Sequence, residues 1–304
     1  MQKQQRLAIT VYFIMEQIAA CTDDRHSALP CDQRRIIVNN DKTVEHTASM
    51  HKLLECEKLD IVVADRCLVQ RLDLALCPGQ MTCLLGENGT GKTSTLHTLA
   101  GLLPIPSGRV LVAGKPLDQW QRRELARKLG LLMQDNEDAF PASVMETALI
   151  GRHPHLGLFA WESLQDVLLA ESALAELGLG GLEKRSVETL SGGERRRLAI
   201  ATLWIQDTDI LLLDEPITHL DPRHQLQILR QLRQLADQGK TVLASLHDVN
   251  LAKRFFDQAL LLSGDGDWQS GPARQVLNAD NLQRVFHTGF TAISHAGGDY
   301  LVAN

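Results

Sequence analysis

The sequence reads Gly86-Glu87-Asn88-Gly89-Thr90-Gly91-Lys92-Thr93 directly after a short apolar run, Met81 to Leu85, that predicts a buried strand. The residues that follow, Ser94 to Leu103, predict a helix. A G-x-x-x-x-G-K-T pattern between a strand and a helix is typical of a phosphate-binding loop. Its glycines let backbone N–H groups surround the phosphates, and the helix N-terminus adds positive potential. We therefore expect Lys92 to reach the β- and γ-phosphates of a nucleotide and the Thr93 hydroxyl to bind Mg²⁺.

A second motif, Leu190-Ser191-Gly192-Gly193-Glu194, precedes a helix predicted over residues 195–205. Ser191 as N-cap, with Glu194 three residues later, has the spacing of a capping box, so a well-capped helix would account for both residues. It would not account for Gly192 and Gly193, because better helix formers are available for a first turn. Bare glycines at a helix N-terminus allow a phosphate to approach the backbone closely. This motif therefore predicts a second phosphate contact.

Together these motifs resemble those of the ATP-binding cassette (ABC) ATPase family, whose signature is LSGGQ or LSGGE. An apolar run from Ile210 ends in Asp214-Glu215-Pro216 and resembles the Walker B strand of that family. The resemblance implies that Asp214 is associated with Mg²⁺ and that Glu215 is the general base that polarises the attacking water. An acidic pair at a strand end is, in isolation, an ordinary exposed corner. Its place after the two other motifs favours the catalytic interpretation.

Three further residues complete the set of family motifs. Gln134 follows the apolar run Leu129 to Met133 and resembles the Q-loop glutamine, which in the family senses Mg²⁺ and the attacking water. His247 follows a predicted strand and resembles the switch histidine, which contacts the γ-phosphate. Asp221 resembles the D-loop residue that crosses the dimer interface. A lone histidine beside a strand is usually structural, so the role of His247 depends on the whole set, which covers residues 57–290.

The resemblance implies an α/β fold, the P-loop NTPase fold of an ABC cassette. It has a RecA-like core with a mainly parallel sheet, an antiparallel β subdomain and a helical signature subdomain. We place the ATPase domain at residues 51–290 and the helical subdomain at about residues 140–205. The alternation of strands and helices independently indicates a mainly parallel sheet covered on both faces. In the family two chains pair head to tail, and each covers the other's ATP with its signature motif.

The resemblance also implies a set of site residues, with ATP and Mg²⁺ as cofactors. The residues expected to act in catalysis are Glu215, His247, Gln134 and Lys92, and those expected to hold Mg²⁺ are Thr93, Gln134 and Asp214. The residues expected to contact ATP belong to the loop, the signature and the D-loop: Gly86, Glu87, Asn88, Gly89, Thr90, Gly91, Lys92, Thr93, Ser94, Ser191, Gly192, Gly193, Glu194 and Asp221. One family feature is missing, because the region Leu59 to Arg66 has no aromatic residue to stack on adenine. We expect Arg66 or an apolar side chain to cover the ring instead.

Composition limits the functional class. With 304 residues and 33.7 kDa, the chain can hold one sizeable α/β domain. Its net charge of −6 and pI of about 6.0 give no support for broad nucleic-acid binding. The one basic cluster, Arg195-Arg196-Arg197, is interpreted as a solvated helix face or an interface. The six cysteines lack CxxC pairs and zinc-site spacing, which indicates free, partly buried thiols in a reducing cytosol. No apolar run approaches the ~20 residues that span a bilayer.

The two ends of the chain fall outside the family pattern. Residues 1–50 form an unassigned N-terminal extension, and Met50 would be a sensible alternative start. Our hypothesis is that residues 1–49 are either a disordered extension or not translated. Residues 291–304 are assigned as a C-terminal tail, and the region from Asp280 onward predicts a short helix and a strand.

Three functional classes compete: the energy subunit of a transporter, a soluble ABC ATPase of translation or DNA repair, and a degenerate cassette that only binds nucleotide. Intact catalytic positions argue against the third. A single P-loop is atypical of translation members, and the ordinary spacing from P-loop to signature, without heptads, is atypical of repair members. We therefore expect a homodimeric transporter subunit, peripheral on the cytoplasmic face of the inner membrane. Its expected partners are integral-membrane permease subunits and, indirectly, a periplasmic or extracellular substrate-binding protein. We expect no nucleic-acid partner.

Two segments bear on direction and substrate. Val144 to His155 resembles the V-x-E-x-V-x-x-G-R-x-P-[HW] segment of importers of iron–siderophore, haem and cobalamin, a segment that faces the membrane partner in that family. Ser245 to Ala252 resembles their L-H-D-[IVL]-N-x-A segment. We expect an importer of a metal chelate or cobalamin, with cobalamin slightly favoured, and an exporter subunit as the alternative within transport. His153 and His155 flank a proline and are interpreted as permease-contact or packing residues in preference to a metal site.

Overall fold

The structure, a computed structural model, describes residues 52–134, 141–157, 160–295 and 298–304. The extension predicted over residues 1–50 lies outside the described residues. No helix in the described part of the chain has the length and apolar character needed to cross a membrane.

The first sheet is antiparallel and is formed by β1 (Leu54–Val63), β2 (Arg66–Leu76), β4 (Arg109–Val112) and β5 (Lys115–Pro116), in the spatial order β2-β1-β4-β5. Strands β1 and β2 are joined by two residues, Ala64 and Asp65, with φ values of 47° and 63°. Positive φ at both positions is typical of two-residue hairpin turns, because such turns follow the right-handed twist of the strands. This sheet corresponds to the expected antiparallel β subdomain.

The second sheet has six strands: β3 (Met81–Leu85), β6 (Leu129–Leu132), β7 (Ile210–Leu213), β8 (Thr241–Ser245), β9 (Gln258–Leu262) and β10 (Trp268–Pro272). Their spatial order is β10-β9-β3-β8-β7-β6. All neighbours are parallel except β9 and β10. The carboxyl ends of β3, β8 and β7 therefore lie side by side at one edge. The expected α/β fold with a mainly parallel sheet is confirmed.

The helices of the described residues are α1 (Lys92–Leu99), α2 (Arg122–Leu125), α3 (Val144–Leu149), α4 (Leu164–Glu176), α5 (Gly192–Ile205), α6 (Pro222–Asp237), α7 (Val249–Phe255), α8 (Ala273–Val276) and α9 (Ala279–Phe286). A 3₁₀ segment, Ile150–His155, continues α3. Helix α5 begins at Gly192, three residues before the predicted start, because Ser191 caps it. Helix α6 begins at Pro222 because Asp221 caps it and proline suits a first helical position.

Three helices between β6 and β7 share one device at their N-termini. Helices α3, α4 and α5 each begin with a capping box, in which a serine and a carboxylate three residues later bond each other's backbone N–H: Ser143 with Glu146, Ser163 with Asp166, and Ser191 with Glu194. A capping box satisfies N–H groups that the helix itself leaves free. The starts of all three helices are therefore defined by local sequence, within the region predicted as the helical subdomain.

The six-stranded sheet separates two apolar cores. Met81, Cys83 and Leu85 of β3 pack into the core that includes α5 and α6, whereas Leu84 packs into the core beneath the antiparallel sheet. Successive residues of a strand point to opposite faces, so a strand buried on both faces must be apolar throughout. This explains the continuous apolar runs that precede the motifs.

Four of the six cysteines lie within the described residues, and all four are free thiols: Cys56, Cys67, Cys77 and Cys83. Burial raises the pKa of Cys56 to about 12 and also raises the pKa of Cys83. Free, partly buried thiols are thereby confirmed for this part of the chain.

The C-terminal segment is a hairpin of β11 (Phe290–His295) and β12 (Gly298–Ala303) that follows α9. Its Leu301 is 4% exposed. The side-chain amide of Asn250, on α7, donates to the Leu301 carbonyl at 3.0 Å and accepts from the Leu301 N–H at 2.8 Å. The region predicted as one helix and one strand thus has two strands, and it is fastened to the helix that follows His247.

Candidate active site

The phosphate-binding loop connects β3 to α1, where the sequence predicted it. A Cβ at Gly86 would lie 2.5 Å from the Leu262 carbonyl oxygen and 2.6 Å from Thr90 Oγ1. A Cβ at Gly91, whose φ is 100°, would lie 3.0 Å from the Leu68 Cβ. Both positions therefore require glycine, because a side chain would push the loop away from the strands that support it.

Lys92 is held inside this loop and is 6% exposed. Its Nζ donates to the carbonyl oxygens of Gly86 at 2.8 Å and Glu87 at 3.0 Å. Burial lowers the pKa of Lys92, and the nearby carboxylates of Glu215 and Asp214 act in the opposite direction. The cation of the loop and the acidic pair after β7 thus belong to one electrostatic site.

Thr93 and Asp214 meet across the strand ends. Thr93 Oγ1 donates to Asp214 Oδ2 at 2.6 Å, and Ser245 Oγ donates to Asp214 Oδ1 at 2.6 Å. The same Ser245 hydroxyl accepts from the backbone N–H of Glu215 at 2.8 Å. Asp214 and Ser245 are both fully buried. The structure therefore brings together two of the three predicted Mg²⁺ ligands, and their hydroxyl and carboxylate oxygens are the donors that Mg²⁺ prefers.

Glu215 and His247 are also brought together. The carboxylate Oε1 of Glu215 lies 2.6 Å from His247 Nε2, and Thr218 Oγ1 donates to the other oxygen, Oε2, at 3.1 Å. The backbone of Glu215 has a φ of 49°, a left-handed conformation that residues with side chains rarely adopt and that is enriched at active sites. These three residues, with Gln225 and Leu251, line a small pocket beside the strand ends.

Gln134 lies just beyond β6 and is exposed. Because β6 is the parallel neighbour of β7, with Leu132 opposite Leu213, Gln134 stands at the same edge of the sheet as Asp214. Its backbone carbonyl accepts a hydrogen bond from Arg196 at 3.1 Å. The structure therefore places Gln134 beside the site, and its predicted contacts with Mg²⁺ and water stay a prediction.

The signature residues form the N-terminus of α5. The Ser191 N–H donates to Glu194 Oε2 at 2.8 Å, and the Glu194 N–H donates to Ser191 Oγ at 3.3 Å. The hydrogen bonds from Ser191 lower the pKa of Glu194. A Cβ at Gly192 would meet nothing within 4 Å, so packing within this chain does not require glycine there. Within the described residues no hydrogen bond joins residues 191–194 to the phosphate-binding loop.

Asp221 serves as the N-cap of α6. Its Oδ1 accepts from the His224 N–H at 3.0 Å, and its Oδ2 lies 2.6 Å from His224 Nδ1. The hydrogen bond with the His224 side chain lowers the pKa of Asp221. The side chain is 59% exposed, so Asp221 combines a capping role with an accessible surface.

The segment Val144 to His155 packs against α5. A Cβ at Gly151 would lie 2.1 Å from the Thr202 carbonyl oxygen, Arg152 Nε bonds Asp166 Oδ1 at 2.6 Å, and His155 Nε2 lies 2.8 Å from the Gln206 carbonyl oxygen. Burial lowers the pKa of His153. The described residues contain no group of His, Cys, Asp or Glu arranged to hold a metal ion. The hydrogen bond of His155 and the burial of His153 favour the interpretation of both as packing residues, and contact with a permease stays a prediction.

The sequence profile described as ABC transporter matches residues 69–218. The chain is 36% identical over 234 residues to the iron(3+)-hydroxamate import ATP-binding protein FhuC of Bacillus subtilis (strain 168), covering 77% of this chain and 87% of that protein. The chain belongs to the ABC transporter family. As an ABC transporter ATP-binding subunit it binds and hydrolyses ATP.

Two further similarities are informative for this ABC ATPase. It is 38% identical over 222 residues to the hemin import ATP-binding protein HmuV of Myxococcus xanthus (strain DK1622), covering 71% of this chain and 82% of that protein. It also superposes on a solved structure described as an inward-facing conformation of a metal-chelate type ABC transporter. That match has a TM-score of 0.72 and 29% identity, and covers 83% of this chain and 98% of the other.

Sequence reasoning missed three residues of this ABC ATPase site. Ser245 and Thr218 orient the acidic pair, and hydroxyl residues so close to Glu215 and His247 in the sequence could have been proposed. The prediction that Arg195-Arg196-Arg197 form a solvated helix face or an interface is wrong for Arg196, since this residue is 9% exposed. It faces the core because its place on the helix turns it toward β6 and β7.

One contact bears on how adenine is recognised, the hydrogen bond from Arg66 to Gly264. Arg66 Nη2 donates to the Gly264 carbonyl oxygen at 2.9 Å, and a Cβ at Gly264 would lie 3.0 Å from the Thr90 Cα. Arg66 is therefore connected through one residue to the phosphate-binding loop, while Val62 and Val63 of the same hairpin are 41% and 40% exposed. Both candidates for covering the ring stay predictions.

Proposed function

We propose that this chain is the ATP-hydrolysing subunit of a multi-chain bacterial importer for a metal chelate of the iron–siderophore, haem or cobalamin class. Its likeness to the hydroxamate and hemin import proteins supports import, and both of those names refer to iron chelates. We therefore place iron chelates ahead of cobalamin. The single observation that carries the enzymatic half is the meeting of Thr93, Asp214, Glu215 and His247 at adjacent strand ends.

In the proposed mechanism Glu215 is the general base. Its carboxylate is oriented by His247 and Thr218, so that it polarises water for in-line attack on the γ-phosphate. Lys92, whose Nζ donates to the carbonyl oxygens of Gly86 and Glu87, places a positive charge against the phosphates. His247 contacts the γ-phosphate and the base together. Positioning and fixed charges of this kind, with no covalent intermediate, account for most catalysis of phosphoryl transfer.

The residues present fit a magnesium ion. Thr93 Oγ1 and Asp214 Oδ2 are 2.6 Å apart, so one hydroxyl and one carboxylate would hold the ion, and Gln134 would add an amide oxygen. When bound, Mg²⁺ neutralises charge on the β- and γ-phosphates. Ser245 donates to the other Asp214 oxygen and so helps to fix the direction of this carboxylate.

We propose that two copies pair head to tail, so that Ser191 and Gly193 of one chain close over the ATP held by the other. The open surroundings of Gly192 support this arrangement, because glycine there serves no packing need within the chain. The dimer is proposed to bind integral-membrane permease subunits at the cytoplasmic face of the inner membrane. The permease in turn receives the chelate from a substrate-binding protein.

The test of the catalytic half uses Glu215→Gln, with Glu171→Gln, an exposed carboxylate on α4, as control. We expect Glu215→Gln to bind Mg·ATP normally and to hydrolyse it at less than about a hundredth of the wild-type rate. The control should hydrolyse ATP like the wild type. Hydrolysis by Glu215→Gln at the wild-type rate would rule out the base assignment.

The test of the transport half is a pull-down of tagged Glu215→Gln from detergent-solubilised membranes with ATP, followed by identification of the bound proteins. Recovery of a polytopic permease together with a chelate-binding protein is the expected result. Recovery of a permease that moves its substrate outward would replace import by export. Recovery of soluble partners alone, ribosomal or DNA-associated, would overturn the transport assignment.

A further inference from the structure

Arg196 points from the signature helix into the protein, and only 9% of the residue is exposed. Its Nη1 donates to the carbonyl oxygens of Met133 at 2.6 Å and Gln134 at 3.1 Å. Its Nη2 donates to the carbonyl oxygens of Asp214 and of Glu215, the latter at 2.9 Å. One guanidinium therefore joins α5 to the ends of two neighbouring strands, β6 and β7.

This arrangement suits a guanidinium in particular. Adjacent parallel strands present two pairs of backbone carbonyls where their ladder ends, and each carbonyl needs a donor once the chain leaves the sheet. Arginine offers five N–H donors in a rigid planar fork, whereas lysine offers three from a single atom. Removing the fork would leave the buried Asp214 carbonyl oxygen without this donor and the Glu215 carbonyl oxygen with only the Thr218 N–H, which is costly in a protein interior.

Of these four hydrogen bonds, the one to the Glu215 carbonyl matters most for catalysis, because it holds the backbone of the expected general base. The Glu215 φ of 49° is a conformation that a residue with a side chain keeps only when its surroundings enforce it. Its N–H donates to Ser245 Oγ at 2.8 Å, and its carbonyl accepts from Arg196 at 2.9 Å. The peptide groups on both sides of the Glu215 side chain are therefore held, one by β8 and one by the signature helix.

We infer that Arg196 is a positioning residue for ATP hydrolysis. It holds Glu215 in its left-handed conformation, and it keeps Gln134 in register with α5. The inference rests on the proposed role of Glu215 as general base. Gly193 and Arg196 lie within one turn of the same helix, so a displacement of the signature motif is passed to both strand ends. The direction of the catalytic carboxylate thereby depends on where the signature helix lies.

The test compares Arg196→Gln and Arg196→Lys with Arg233→Gln. Arg233, on α6, is a matched control because its side chain is 27% exposed and also donates to a backbone carbonyl, that of Gly79, besides bonding Asp237 and Asp257. For each variant we would measure kcat, KM, the Kd for Mg·ATP, thermal stability and amide hydrogen exchange of residues 213–218. These readouts separate positioning from general stability.

We expect Arg196→Gln to lower kcat about tenfold or more while KM and the Kd for Mg·ATP change less than about twofold. Arg196→Lys should fall between Arg196→Gln and the wild type, because it keeps the charge and part of the donor set. Amide exchange at Glu215 and Thr218, whose N–H groups bond Ser245 and the Glu215 carbonyl, should accelerate in both variants. Arg233→Gln should lose thermal stability but keep kcat and the exchange rates.

A fall in kcat no larger than that of Arg233→Gln, or one matched by an equal loss of ATP affinity, would overturn the inference. If Arg196→Gln does not fold, Arg196→Lys is judged by the same criteria. Wild-type kcat together with wild-type amide exchange in Arg196→Lys would then overturn the inference. Measuring Glu215→Gln in the same assay distinguishes failure of the proposed base role of Glu215 from failure of the positioning role of Arg196. If Glu215→Gln is active, the base assignment fails; if it is inactive while Arg196→Gln behaves like the control, only the role of Arg196 fails.

Discussion

Among single residues, Ser245 does most to organise the acidic pair of this ABC ATPase. One hydroxyl donates to Asp214 and accepts from the Glu215 backbone, and the residue is fully buried. A serine hydroxyl can donate once and accept twice, so a single hydroxyl can make both of these contacts at the same time. Alanine at this position would leave a buried carboxylate oxygen and a buried N–H without their partner.

We predict that Ser245→Ala lowers the free energy of unfolding by about 1–3 kcal/mol, the usual cost of orphaning buried polar groups, and also lowers kcat. Urea denaturation and steady-state ATPase assays check both effects. Ser270→Ala, an exposed serine on β10, is the control and should change neither quantity. An unchanged unfolding free energy for Ser245→Ala would contradict the bridge.

The sequence identifies residues that belong to a motif. It does not identify residues that contact the motif in space but lie far from it in the sequence. Lys92, Asp214 and Glu215 were predictable because short-range pattern and spacing carry their signals. Arg196 contacts carbonyls 63 and 18 positions away in the sequence. No local pattern records such contacts, and three successive arginines on a helix share neither direction nor burial once the helix packs.

Among the elements, the tightest fit joins the 3₁₀ segment after α3 to helix α5. Gly151 allows it, since a Cβ there would lie 2.1 Å from the Thr202 carbonyl oxygen. We predict that Gly151→Ala destabilises the protein by about 2–4 kcal/mol, because the backbone of one element would have to shift. Urea denaturation measures this. Gly180→Ala, whose Cβ would make only ordinary contacts at 3.5 Å, is the control, and an equal effect in both variants would contradict the steric explanation.

Helix α4 carries an ion pair with a defined pH dependence. Hydrogen bonds from Ser163, together with the Arg152 guanidinium, lower the pKa of Asp166 below its ordinary value of 3.8. Because the folded-state pKa is the lower one, the stabilisation is complete above the unfolded-state pKa and is lost as pH falls through the folded-state pKa. The ion pair is sheltered, with side chains 15% and 10% exposed.

We therefore predict that the difference in free energy of unfolding between wild type and Asp166→Asn is constant from about pH 7 to about pH 5 and shrinks below about pH 4. Denaturation curves at stepped pH give this difference directly. Asp118→Asn, an exposed carboxylate, should show a much flatter dependence. A difference for Asp166→Asn that persists unchanged into strong acid would mean that Asp166 does not act as a carboxylate.

The whole molecule is predicted to work as a composite of two chains, which can be tested by mixing. Lys92→Ala should disable the phosphate-binding loop, and Gly193→Asp should disable the signature, while its Cβ meets neighbours only at ordinary distances of 3.5 Å and more. Each variant alone should be inactive. In the mixed dimer one of the two sites combines an intact loop with an intact signature, so an equal mixture should regain about a quarter of wild-type activity. A mixture as inactive as its components would exclude sharing of sites between chains.

The placing of the three capped helices between β6 and β7 has a consequence for how the chain folds. These strands are immediate neighbours in the sheet, yet everything from α3 to α5 separates them in sequence. Joining two distant segments costs chain entropy, and the cost grows with the length of flexible chain between them. Capping boxes close within three residues and form early. We expect the insertion to become compact first, which draws the two strands near each other before the sheet closes.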